Sequence, residues 1–132
     1  AALAGGEGLR AEAEAHRWSA FFTSDVHAAF WPIFMPDRYT SDDSEAARQA
    51  VVKAGHRLVA KQFGILNRHL DGRNYILDGG RSVIDAYSFP MIRWVMKMLP
   101  SGLKEFPNVQ ALHDRIAADP AVQRVLAREA SK

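Results

Sequence analysis

Apolar residues recur at three- and four-residue steps in five stretches of this chain, and no segment reads as a convincing strand. That spacing confines the fold to a helical bundle. The first stretch runs from about Leu9 to about Phe34, with Trp18, Phe22, Val26, Ala29 and Ile33 on one face. Its opening turns, Arg10 to Ala15, are strong helix formers without large apolar side chains, so that end is expected in solvent. Pro32 and Pro36 are expected to close it.

A polar loop from Asp37 to Asp43 follows. Asp42 and Glu45 have capping-box spacing and predict a second helix from there, with Val52, Gly55, Val59, Phe63, Leu66 and Leu70 as its buried stripe and Gly72 as its left-handed terminator. Asn74 to Leu77 reads as a short extended piece before the turn Asp78-Gly79-Gly80. Ser82 and Asp85 hold the N-cap and N3 positions of a third helix. Its apolar series is Ile84, Tyr87, Met91, Trp94 or Val95, and Met98, with Pro90 as a kink. A fourth helix follows Pro107 and buries Val109, Leu112 and Ile116. Asp119-Pro120 opens a fifth, with Val122, Val125 and Leu126. The third helix is apolar on several sides. The predicted fold is therefore all-α, a five-helix bundle around a central buried helix starting near Ser82.

Several function classes fall away on composition. The 132 residues fit one domain with an ordinary soluble balance, 48% hydrophobic and 24% charged. The absence of cysteine rules out a disulfide framework, a thiolate metal site and a thiol nucleophile within this chain. A formal charge of +2, with the basic residues dispersed, gives no nucleic-acid footprint. No apolar run approaches the roughly 20 residues of a membrane span. His16 and His27 share a helix face but lie eleven residues apart, about 16 Å at the helical rise, too far to share one metal. No metal site is expected. No Gly-rich phosphate loop follows a strand.

Three segments, in order, resemble one family. Gly80-Arg81-Ser82-Val83-Ile84-Asp85-Ala86-Tyr87 resembles the signature that opens the buried central helix of glutathione transferases. Phe106 to Leu112, followed by Arg115 to Val122, resembles the family's closing stretch, and Trp18 to Phe34 is similar to the first C-domain helix of the bacterial beta class. Leu3-Ala4-Gly5 resembles the linker that follows the family's thioredoxin-like domain. The resemblance implies that residues 1–8 are an interdomain linker remnant, that residues 9–132 are the helical C-terminal domain, and that the thioredoxin-like domain is absent from this chain.

The resemblance also assigns roles. Ser24, Asp25, Val26 and His27 become the glutathione-facing segment, with His27 the catalytic candidate near the glutathione sulfur. Asp25 is placed toward the glutathione amino group of a neighbouring subunit. Phe30, Phe34 and Trp94 become the wall of a hydrophobic electrophile site. Ala20 departs from the family, where an asparagine often hydrogen-bonds glutathione. Ser82 and Asp85 are structural caps rather than a catalytic pair. The implied protein is a cytoplasmic homodimer that uses glutathione as co-substrate. The competing expectation is a non-catalytic interaction module of the same fold.

Overall fold

The computed structural model describes residues 5–131, so Leu3 and Ala4 of the expected linker, and Lys132, lie outside the described residues. Among the described residues six α-helices follow one another: α1 (Leu9–Ala20), α2 (His27–Phe34), α3 (Glu45–His69), α4 (Val83–Met98), α5 (Pro107–Ala117) and α6 (Pro120–Ala130). A π-helical turn, Phe21–Val26, joins α1 to α2 without a break, and a 3-10 turn, Pro36–Arg38, follows α2. With α1 and α2 counted as one rod, this is the expected five-helix bundle. No strand occurs among the described residues.

The rod differs from the sequence expectation in two ways. The His27 amide donates to the Phe22 carbonyl, five residues back, and one extra residue is wound into that turn. Pro32 does not end the helix: it lies buried inside α2. Only Pro36 ends it, by forcing Met35 out of helical geometry (φ −140°, ψ 63°).

The start of α3 is also displaced. Its N-cap is Ser44, whose Oγ accepts from the Ala47 amide at 3.2 Å. Asp42 is not the cap. Its carboxylate accepts from the Ser44 amide at 2.8 Å, a turn of its own, and that bond holds its pKa below the ordinary range. Glu45 accepts from Gln49 instead of reaching back to the cap. Gly55, Val59, Phe63 and Leu66 are buried along α3, with Leu70 just past its end, and Gly72 takes the left-handed conformation (φ +68°).

Helix α4 carries the largest share of the core: Ile84, Phe89, Met91, Ile92 and Val95 are buried. Val83, Ala86, Pro90 and Arg93 remain exposed, so its neighbours do not encircle it completely. Both arms of the Ser82–Asp85 capping box are present, and Ser82 Oγ also accepts from the Ile84 amide at 3.2 Å. Asp85 does more than cap. Its carboxylate, 1% exposed, accepts from the Ser82 amide at 2.7 Å, the Ser82 hydroxyl at 2.9 Å and the Ile76 amide at 2.9 Å.

The expected extended piece, Asn74 to Leu77, is a series of bends that packs Ile76 and Leu77 into the core. Ile76 is held at both ends. Its carbonyl lies 2.7 Å from His69 Nε2. A carbonyl only accepts, so Nε2 carries the proton. The other termini are held by similar means. Asn67 of α3 accepts from the Asn108 and Val109 amides, capping α5 from a different helix. Asp119 caps α6 through the Ala121 amide at 2.7 Å.

Two outcomes follow from this clamp. Asp85→Ala leaves the buried Ile76 and Ser82 amides unpaired and lowers unfolding free energy by about 3 kcal/mol or more, read from denaturant midpoints. Burial, with Arg73 and Arg17 nearby, holds the His69 pKa below its ordinary 6.5, against the opposing pull of the Ile76 carbonyl and Glu14. The unfolded chain therefore binds the extra proton first, and the stabilisation is intact above about pH 6.5 and lost as pH falls through the folded value. Thermal melts at about pH 7.5 and about pH 5.5 test it: the drop on acidification is smaller in His69→Gln than in the parent.

Candidate functional site

The π turn and the first turn of α2 carry four of the expected site residues. Ser24 and Asp25 lie exposed on the π turn. Val26 is 1% exposed and packs in the core, so its side chain is closed to a ligand. His27, the first residue of α2, is half-buried. Ala20 is exposed at the end of α1.

His27 sits within an aromatic cluster built from two helices. Trp31, one turn further along α2, lies nearly parallel to its imidazole, with centroids 5.8 Å apart and planes at 13°. Trp94 of α4 flanks it at 5.5 Å and 45°. Trp94 in turn meets Phe30 edge-to-face at 5.3 Å and Phe34 at 5.2 Å, while Phe30 and Phe34 stack at 5.6 Å. The tertiary fold thus brings His27, Phe30, Phe34 and Trp94 together across sixty-odd residues of sequence. Phe30 is fully buried and forms the base of the cluster, not an open wall. Ser24 and Asp25 are exposed, and His27, Phe34 and Trp94 are half-buried at the rim of the cluster. Trp31 joins them as a member without an expected role; its position four residues after His27 on one helix was the available signal.

A close helix contact sets where this face stands. A Cβ at Gly55 of α3 would lie 2.7 Å from Ile33 Cγ1 and 3.2 Å from Pro32 Cβ, so only glycine lets α3 approach α2 this closely. Among the described residues, no group of three His, Cys, Asp or Glu could hold a metal ion, and no helix is long and apolar enough to cross a membrane.

A concavity lies elsewhere, between α4 and α6. It is a groove of about 660 Å³ lined by Val83, Phe89, Pro90, Val122, Val125 and Leu126. Ion pairs between Arg81 and Asp119 and between Arg93 and Glu129 connect its two helical sides.

Comparison with known proteins assigns this architecture. Residues 22–120 match the family described as Glutathione S-transferase, C-terminal domain. The chain belongs to that family. It is 32% identical over 130 residues to Glutathione S-transferase GST-4.5 of Xanthomonas campestris, covering 95% of this chain and 60% of that protein. Among solved structures, a glutathione S-transferase from Xylella fastidiosa superposes with a TM-score of 0.85 at 31% identity, covering 97% of this chain and 61% of that one. The beta-class enzyme of Sphingomonas chungbukensis gives 0.78 at 27%, covering 96% and 58%. A sphingomonad glutathione S-transferase complexed with glutathione gives 0.78 at 26%, covering 97% and 59%. The chain therefore spans about 60% of the length of the relatives it matches.

The two interior glycines of α3 provide a contrast. Gly55→Ala forces α2 and α3 apart and is destabilising by about 1–3 kcal/mol in denaturant unfolding. Gly64→Ala, where the nearest atom is Arg68 Nη1 at 3.7 Å, is neutral or stabilising by up to about 1 kcal/mol.

Proposed function

We propose that this chain is the helical part of a glutathione transferase, and that the His27 face contributes to its active site. The observation that carries the reading is the meeting of His27 with an aromatic surface from α2 and α4, in a chain of this family. Conjugation requires the glutathione sulfur as a thiolate, and a neighbouring hydrogen-bond donor or cation favours that form. His27 supplies a donor at the edge of the face. Ser24 and Asp25, exposed on the same turn, offer polar contacts to the tripeptide. The backbone of Val26 continues this segment, while its side chain anchors it. Phe34 and Trp94, backed by Phe30, supply the apolar surface that a hydrophobic electrophile requires.

In this reading residues 1–8 are a linker remnant, and a thioredoxin-like domain outside the 132 residues provides most glutathione contacts and activates the sulfur. The complete protein is a cytoplasmic homodimer joined through the α1–α2 rod and α3. Ala20 cannot donate a hydrogen bond, so the contact an asparagine makes in relatives falls to another group. The glutathione complex of the sphingomonad relative supports glutathione as the co-substrate. The aromatic histidine face favours this enzyme reading over a pure interaction module.

The 132-residue chain by itself shows negligible conjugation of an aromatic halide, whereas millimolar glutathione moves the amide resonances of Ser24 to His27. Turnover near that of a complete transferase overturns the division of labour between domains. Amides that stay fixed at every glutathione concentration overturn the site assignment, and sedimentation as monomer only removes dimerisation through these helices.

A further inference from the structure

His27 occupies one place in a four-membered column. At the outer end, the Arg38 guanidinium carbon lies 5.7 Å from the centre of the Trp31 ring. Trp31 lies nearly parallel to His27, and Trp94 borders His27 as well. The column draws on the 3-10 turn after α2, on α2 itself and on α4. Trp94 is anchored by Phe30 and Phe34. Trp31 is not anchored in this way: it is 37% exposed and stands outside the hydrophobic core.

The hydrogen bonding of the histidines gives Trp31 a purpose. His69 and His113 are each hydrogen-bonded to the protein. The His27 side chain makes no hydrogen bond among the described residues, so its aromatic contacts with Trp31 and Trp94 are what hold it. An indole four residues along the same helix is well placed for that task, and an offset parallel pair is a favoured geometry. The Arg38 cation over the Trp31 ring adds an attraction that steadies the indole. The His27 ring nitrogens have no hydrogen-bond partner among the described residues and so remain free to meet a ligand. The π turn ends at the residue just before His27, and such turns re-aim the helix surface that follows them.

We propose that Trp31, backed by Arg38, is the positioning residue for His27, holding the imidazole so that its edge meets the sulfur of a bound thiol. The inference rests on the reading of the His27 face as a thiol-using site. Trp31 does not itself contact the thiol. With His27 stacked on the indole and Arg38 over the same ring, it is a support for the histidine and not a stacking platform for the electrophile.

Proton NMR of the 132-residue chain tests the column directly. In Trp31→Ala the His27 ring signals move downfield toward those of free histidine, and the cross-relaxation between the His27 and Trp94 rings weakens. Trp31→Phe, which restores an aromatic face, recovers most of both. Arg38→Ala moves the His27 signals less, in the same direction, and carries the test should Trp31→Ala fail to fold. His27 signals unchanged in a folded Trp31→Ala, or in Arg38→Ala when that is the only folded variant, overturn the proposal. So does a failure of Trp31→Phe to restore the signals that Trp31→Ala displaces, because loss of general packing would do the same. Glutathione added to the parent chain separates the two readings. If the column effects are present but glutathione leaves His27 unmoved, the thiol-site reading fails while the stack stands.

Discussion

The Asp85 carboxylate is the contact on which the rest of the bundle depends. A buried charge is tolerable only when donors surround it, and here three donors do so, from two chain segments. Two of them start α4. The third belongs to Ile76, nine residues upstream, in a stretch that forms no regular structure. One carboxylate thereby nucleates the central helix and fastens the preceding loop against it. His69 donates to the carbonyl of the same residue, so α3, the loop and α4 meet at Ile76. The position of Trp94 is settled from the same end, because α4 enters the core with its first turn fixed.

The histidine face depends on that placement without belonging to it. Trp94 reaches His27 only because α4 lies where the clamp puts it, and α2 presents His27 because α3 comes close at Gly55. The π turn adds a local adjustment. A straight α-helix through Phe21–Val26 would carry one residue fewer in that turn and rotate everything after it. Core and site therefore share residues. Val26 and Phe30 serve the inside, while His27, Trp31 and Phe34 stand on the outer side of the same two turns.

The groove between α4 and α6 follows from the same economy of contacts. Helix α6 has no buried residue, and two ion pairs link it to α4 and the turn before it. Val83 and Val125 remain more than half exposed. The last helix is thus attached by its cap, by a few apolar contacts and by charges, and it is the least deeply embedded element of the bundle.

Much of this was legible in the sequence. Helical spacing located the elements, Ser82 and Asp85 announced the central helix, and Gly72 and Pro107 marked boundaries, because these signals act within a few residues of themselves. The signals that misled were local ones with a nearby competitor. Ser44 displaced Asp42 as the cap of α3 because its hydroxyl stands at the helix start, and Pro32 stayed inside α2 because the missing hydrogen bond alone did not break it. The second role of Asp85, the Asn67 cap on α5 and the π turn needed the tertiary structure, since each depends on a partner or a strain that spacing does not encode. The same holds for the site. Sequence alone placed His27 beside Phe30, Trp31 and Phe34, but burial of Phe30, exposure of Trp31 and the arrival of Trp94 were decided by how α4 packs against α2, because which side of a helix faces its neighbour is a property of the pair.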